Sequence, residues 1–289
     1  MQALVAELAE AMSPLGGEAR AAAKALVGDV LCLTPTQIAL AFDKSVAQAD
    51  AQRLLAMAER VAKGEPLQYV TGVCQFAGLQ LSVGPGVLIP RPETEGLADL
   101  AIGWAGGRDG LRVLDVGTGS GCLALALRQA LAAPEVMAVD ASDDALRVAQ
   151  TNADRLGLDI DIFKLDILSP QADDMARADG PFDIVVSNPP YVRLSERGQM
   201  EANVLDHEPA LALFVPDEDP LLFYRRIAQL CVAGLLAPDG ALFFEINEAL
   251  GSETESMLRR LGFSDVAVGK DFTGRDRYVR AAGLNTFEN

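Results

Sequence analysis

Asn188, Pro189, Pro190 and Tyr191 follow directly on the apolar run Phe182–Ser187. A segment that reads as a buried strand therefore ends on two residues that fix φ and carry no N–H. Carbonyls in such a stiff turn stay free of a ladder. The side-chain oxygen of Asn188 and a backbone carbonyl at Pro189 can together accept both hydrogens of a planar NH2 group, either a carboxamide or an exocyclic base amine. The lone pair of such a nitrogen is delocalised and poorly nucleophilic, so holding both hydrogens serves to aim it at an electrophile. Tyr191 is suited to stack on the flat group and keep water out. No strong base is needed, and the one histidine, His207, reads as a surface or interface residue.

The electrophile's site is suggested upstream, in "VLDVGTGSGCLALAL" (Val113–Leu127). Gly117, Gly119 and Gly121, with Thr118 and Ser120 between them, sit where a strand passes into a helix. Small residues there let a ligand approach main-chain N–H groups near a helix N-terminus. A dinucleotide loop has G-x-G-x-x-G spacing. The G-x-G-x-G found here resembles the loop of class I methyltransferases, which bind S-adenosyl-L-methionine and have no phosphate to cradle. On that reading Asp140, ending the next strand, accepts both ribose hydroxyls, and Asp166 accepts from the adenine amine. Asp115 orients the loop or meets the methionine ammonium. Valine at Gly119 or Gly121 is expected to block the ligand with little unfolding. Cys122, beside the loop, reads as a small buried residue.

The elements that must position these groups fall into three segments. Residues 1–64 repeat apolar side chains at helical spacing, as in Leu4, Leu8 and Met12 and again in Leu54, Ala58 and Val61. Thr34 and Pro35 open one helix and Gly64 stops another. The segment reads as a bundle of about four helices that recognises a partner. Residues 65–90 turn β-branched, aromatic and glycine-punctuated, which predicts a β-hairpin linker. Residues 91–289 alternate strand and helix, predicting a mostly parallel α/β sheet. Its strands are Arg112–Gly117, Glu135–Asp140, Asp161–Asp166, Phe182–Asn188 and Ala241–Asn247, with two antiparallel strands turning near Thr273 and Gly274. Ser252 and Glu255 are spaced as a capping box for a late helix.

Composition narrows the partner. The formal net charge is −17. Residues 1–63 hold six Lys or Arg and seven Asp or Glu, and the remainder 18 and 34. With no basic cluster beyond Arg225-Arg226 and Arg259-Arg260, a polyanion would be repelled, so a basic protein fits better than nucleic acid. No apolar run reaches the roughly 18–20 residues that span a bilayer, and no secretory leader is visible at Met1–Leu31. Four scattered cysteines without a C-x-x-C pair suggest a reducing cytoplasm and no metal site.

"DVGTGSG", "AVD" and "SNPPY", in that order, look like the Asn-Pro-Pro-Tyr branch of class I methyltransferases. "EPLQYVTG" (Glu65–Gly72), "GVLIPRPETE" (Gly86–Glu95), "HEPALAL" (His207–Leu213) and "GRDRYV" (Gly274–Val279) resemble the peptide chain release factor glutamine N5-methyltransferases, the HemK-like proteins. The resemblance covers nearly the whole chain. It implies a seven-stranded, mostly parallel, Rossmann-like sheet behind the bundle and hairpin. It also implies methyl transfer to the glutamine of a release factor's Gly-Gly-Gln motif, leaving S-adenosyl-L-homocysteine, and a monomer is expected in the reducing cytoplasm that the cysteines suggest. Cofactor contacts then fall at Asp115, Gly117–Gly121, Asp140, Asp166, Ile167 and Asn188. The substrate meets Asn188–Tyr191, with Arg91 and Glu93 lining or bracing the mouth. Ile167 stands where some relatives carry an aromatic over the adenine. Two other substrates share the chemistry, a ribosomal-protein glutamine and adenine N6 in nucleic acid. A non-catalytic adenosine-binding module is the reading from another class. The intact "PRPETE" favours the release factor.

Overall fold

Apolar residues on alternate sides of each central strand are what the sheet is built from. The structure, a computed structural model, describes residues 1–41 and 43–284. They divide into two compact units, the first made of Met1–Cys74, Val83–Pro85 and Met200–Glu208, the second of Gln75–Ser82, Gly86–Gln199 and the chain from Pro209 onward.

The first unit holds the helices Gln2–Ala11, Ala19–Leu31, Pro35–Leu40, Gln48–Ala62 and the short Leu67–Thr71. Leu4, Leu8, Met12, Leu54, Ala58 and Val61 share one buried core. Thr34 caps as expected: its Oγ1 accepts from the Gln37 amide at 3.2 Å, while its own amide donates to Gln37 Oε1 at 2.8 Å. The hairpin is shorter than the predicted 65–90. Pro66 opens the helix Leu67–Thr71, which closes on a left-handed Gly72, and pairing starts only afterwards. Residues 200–208 belong to this unit, where His207 Nδ1 lies 3.0 Å from the Asn203 carbonyl.

The strands are β1 (Val73–Phe76), β2 (Leu79–Ser82), β3 (Arg112–Val116), β4 (Glu135–Asp140), β5 (Asp161–Lys164), β6 (Phe182–Ser187), β7 (Val192–Arg193), β8 (Phe214–Val215), β9 (Leu236–Glu245), β10 (Phe263–Lys270) and β11 (Asp276–Leu284). Seven form one sheet in the order β10-β11-β9-β6-β3-β4-β5, parallel except for β11, which runs antiparallel to both neighbours. Val113, Ile184, Val186, Ala241 and Phe243 face one core, beneath the helices Pro92–Ala105 and Cys122–Ala130. Leu114, Val185, Leu242 and Phe244 face the other, beneath Leu222–Leu230 and Gly251–Arg260. Burial on both faces explains the unbroken apolar runs in the sequence. From β3 the chain proceeds outward through β4 and β5, then returns to β6 on the other side. The connections thus diverge at β3 and β6, and ligands bind at the carboxyl ends of such strands.

One local expectation gives way to a better partner. Ser252 and Glu255 form no capping box, because a 3-10 turn at Glu248–Leu250 runs straight into the helix and Asn247 caps that turn instead, accepting from the Ala249 amide at 3.0 Å. Residues Pro92–Ala105, the start of the segment expected to alternate strand and helix, form a helix with Pro at its start and Glu93 and Glu95 in the first turn. That helix is locked from far along the chain. The hydroxyl of Tyr278 donates to the Glu93 carbonyl at 2.6 Å, and a Cβ on Gly96 would collide with the Tyr278 ring.

Candidate active site

β3 and β6 end side by side, tied by the Ser187 hydroxyl, which donates to the Val116 carbonyl at 2.6 Å. Above them lies a cavity of about 220 Å3. The glycine loop, Asp140, Asp166 and Ile167, Asn188 to Pro190, and Pro90 and Arg91 all border it. Asp115 and Gly121 stand behind the loop. Glu93 and Tyr191 do not border the cavity.

Each loop contact has a visible cause. Gly117, Gly119 and Gly121 have φ of 73°, 56° and 82°, left-handed values that side chains disfavour. The Gly117 and Thr118 amides donate to the Val139 carbonyl at 2.9 and 3.0 Å. The Gly119 amide donates to Asp140 Oδ2 at 2.9 Å. Asp115 is fully buried, and its Oδ2 accepts from the Thr118 hydroxyl at 2.7 Å and the Ala124 amide at 3.1 Å. Burial pushes the Asp115 carboxyl up to about 7. Among the described residues, Asp115 Oδ1 and Ser120 Oγ are buried without a partner, a cost normally met by a ligand or water.

Two of the three glycines do different jobs. A Cβ on Gly119 meets no protein atom, whereas on Gly121 it comes within 3.2 Å of Leu125 Cδ1 and 3.3 Å of Ala149 Cβ. The open space agrees with the expectation of little unfolding at Gly119, and the close contacts speak against it at Gly121. Gly119→Val is expected to cost only its strained φ, about 1–2 kcal/mol, while blocking the loop. Gly121→Val adds overpacking of about 1–3 kcal/mol. Thermal melts of the two ligand-free variants should place Gly121→Val clearly lower.

Asp140 ends β4 with each oxygen already accepting one amide, Oδ1 from Ser142 and Oδ2 from Gly119, both at 2.9 Å. A carboxylate has about four acceptor positions, so both oxygens retain capacity. Burial raises its carboxyl above the ordinary range. Asp166 is exposed, its Oδ1 accepting from the Leu168 amide at 2.9 Å. Ile167 is buried and shares the cavity wall with Leu211, Phe223 and Ile227, aliphatic and aromatic surface that the sequence left unassigned. Arg226, also unassigned, fixes this wall. Its guanidinium donates to the Ile167 and Ser169 carbonyls, both at 3.1 Å, and grips Asp173 with bonds of 3.0 and 2.9 Å. Arg226 holds the Asp173 carboxyl below its usual range.

Around Asn188 the sequence missed two residues. Asn188 Nδ2 donates to Thr94 Oγ1 at 3.2 Å, and Thr94 Oγ1 donates to Glu245 Oε2 at 2.6 Å. The Tyr191 hydroxyl donates to Glu245 Oε1 at 3.1 Å. The Tyr191 ring packs on the second core and does not border the cavity, so the stacking role expected of it is not what its placement serves. Burial and the Glu245 charge push the Tyr191 phenol up, keeping it a donor. Glu245, 1% exposed, is likewise raised by burial, with the Thr94 and Tyr191 bonds and the Arg277 charge opposing. The turn's exit is held by Asn247 Nδ2, which donates to the Tyr191 carbonyl at 3.3 Å. Strand pairing resumes at once, the Val192 amide donating to the Leu213 carbonyl at 2.9 Å. The one sequence signal for Glu245 was an acid inside the apolar "LFFEI".

The chain is 48% identical over 226 residues to a release factor glutamine methyltransferase of Bacteroides thetaiotaomicron, covering 77% of each chain. It belongs to the release factor glutamine methyltransferase family. A second member, from Chlorobaculum tepidum, is 37% identical over 267 residues and covers 90% of this chain and 89% of its own. Residues 2–72 match the model described as PrmC N-terminal domain, and residues 107–207 the one described as Methyltransferase small domain. The solved catalytic domain of hMettl16 overlaps with a TM-score of 0.54 at 16% identity, covering 83% of each chain, which bears on the fold alone. S-adenosyl-L-methionine is the family's methyl donor, and the site fits it. The loop leaves open space at Gly117 and Gly119, a strand-end carboxylate keeps spare acceptors, and two buried polar atoms await partners.

Proposed function

We propose that this methyltransferase modifies the side-chain amide nitrogen of the glutamine in the Gly-Gly-Gln motif of a peptide chain release factor. The observation that carries the reading is the pairing of Asn188. Its Nδ2 is committed to Thr94, and no donor among the described residues occupies its Oδ1. An unfilled acceptor at the cavity wall suits a substrate N–H. The Pro189 carbonyl is the second acceptor, and together they hold a carboxamide that needs orientation more than deprotonation. S-adenosyl-L-methionine, when bound, supplies the methyl group on a sulfonium. Asp140 holds its ribose hydroxyls, Asp166 its adenine amine, and Ile167 with the glycine loop excludes water around it. Asp115 keeps the loop in shape through Thr118 and Ala124. Pro190 stiffens the turn, and Arg91 borders the mouth.

The bundle of residues 1–64 serves partner recognition, residues 65–90 link it, and residues 91–289 carry the chemistry. The acidic surface of the larger part favours a basic protein surface over nucleic acid. We take the enzyme to act as a monomer in a reducing cytoplasm, which its four free cysteines fit. Incubation with a release factor and methyl-labelled donor, followed by mass mapping, is expected to find one methyl on the Gly-Gly-Gln glutamine and none on a Gly-Gly-Ala factor. Equal labelling of both would overturn the reading, and so would labelling of nucleic acid in place of the factor.

A further inference from the structure

We propose that Glu245, acting through Thr94, is a positioning residue that decides which end of the Asn188 carboxamide faces the substrate. The inference rests on the reading of Asn188 given above and adds a cause for it. A carboxamide has two nearly isosteric ends, and a turn of two prolines does nothing to choose between them. With its NH2 end toward a substrate NH2, Asn188 would set donor against donor and hold nothing. Something must fix the polarity of the amide.

The hydrogen-bond chain does so by counting protons. Thr94 and Tyr191 each donate to a different oxygen of Glu245, so the carboxyl accepts at both, and a threonine hydroxyl has one hydrogen to give. Glu245 Oε2 takes that hydrogen, at 2.6 Å from Thr94 Oγ1. Thr94 can then only accept from Asn188, so the group 3.2 Å away is the Asn188 NH2. The carbonyl end is left for the cavity, which Thr94 and Asn188 both border. The other oxygen of Glu245 is held by the Tyr191 hydroxyl at 3.1 Å, so the carboxylate cannot turn away. Tyr191 thus belongs to the same device, two residues on from the Pro189 carbonyl. A carboxylate buried between Phe244 and Ile246 is costly to keep, and aliphatic packing would serve that site at least as well for stability. Polarity is what a carboxylate adds.

Glu245→Gln tests this at nearly constant shape. A glutamine can offer its NH2 to Thr94, which frees the Thr94 hydrogen to point at Asn188 and lets the amide turn over. With a Gly-Gly-Gln factor as substrate, kcat is expected to fall about 10- to 100-fold, the scale of a misplaced contact. The Kd for S-adenosyl-L-methionine by calorimetry should move far less, within about fivefold, because the glycine loop, Asp140 and Asp166 are untouched. Thr94→Val breaks the chain at its middle and should match that loss. Thr94→Ser keeps the hydroxyl and should retain kcat within about threefold. Wild-type kcat in Thr94→Val, or equal losses in Thr94→Ser and Thr94→Val, would overturn the proposal while the function stands. If Glu245→Gln does not fold, the Thr94 pair gives the same answer. A wild-type enzyme that labels no glutamine overturns both readings, and is told apart by that.

Discussion

Asn188→Ala is expected to lower kcat for glutamine methylation by about 100- to 1,000-fold, the usual effect of removing one oriented polar group from a reacting centre. The Kd for S-adenosyl-L-methionine should move far less, within about fivefold, because the glycine loop and Asp140 remain. The substitution removes the acceptor for the amide hydrogen and leaves the Thr94 hydroxyl without its donor. β6 itself should persist, since Ser187 still bonds Val116 and both faces of the strand are packed. Single-turnover methylation at saturating donor, beside a calorimetric titration, separates the two quantities. A variant that methylates at the wild-type rate would remove Asn188 from the chemistry.

The second large effect is expected at Asp140. Asp140→Ala should raise the Kd for S-adenosyl-L-methionine by about 100-fold, equivalent to about 2.7 kcal/mol. Two charge-assisted hydrogen bonds of about 1.5–3 kcal/mol each are at stake, less what water returns. The carboxylate also accepts from the Gly119 and Ser142 amides, so its removal loosens the loop as well. Asp140→Asn keeps an acceptor and should lose less. At saturating donor, kcat of Asp140→Asn should lie within about threefold of wild type. Because burial raises the Asp140 carboxyl, its charge is lost at a higher pH than an ordinary aspartate's. Affinity should accordingly weaken as pH falls through that raised value, and Asp140→Asn should flatten this dependence.

What could be read from the sequence was what depends on near neighbours. β4 begins and ends at the predicted residues, because a buried strand bounded by a turn announces itself by composition. The helix Asp143–Leu156 is equally local in origin, with Ser142 capping it by accepting from the Ala145 amide at 3.3 Å. The glycine loop was legible because its conformation is local. What escaped notice depends on residues brought together only by folding. Thr94 and Glu245 are 151 positions apart, and neither carries a local sign of its partner. Arg226 lies in an ordinary amphipathic helix, and its role exists only because Ile167 and Asp173 pack beside it. Ser252 and Glu255 failed in the opposite way. Their spacing was right, but Asn247 had already capped the turn that leads into the helix.

The bond from Tyr278 to the Glu93 carbonyl spans 185 positions, and it sets an order of events during synthesis. Thr94 lies one residue beyond Glu93, so the helix that presents Thr94 to Asn188 is seated by a strand made long after it. β11 also inserts between β9 and β10, closing the sheet beside Glu245. While the ribosome is still short of residue 278, the nascent chain can form its glycine loop but not a finished amide-holding pocket. Contacts this distant are slow to form because loop closure must precede them. Donor binding and methyl transfer should therefore mature separately as the chain emerges, the first well before the second.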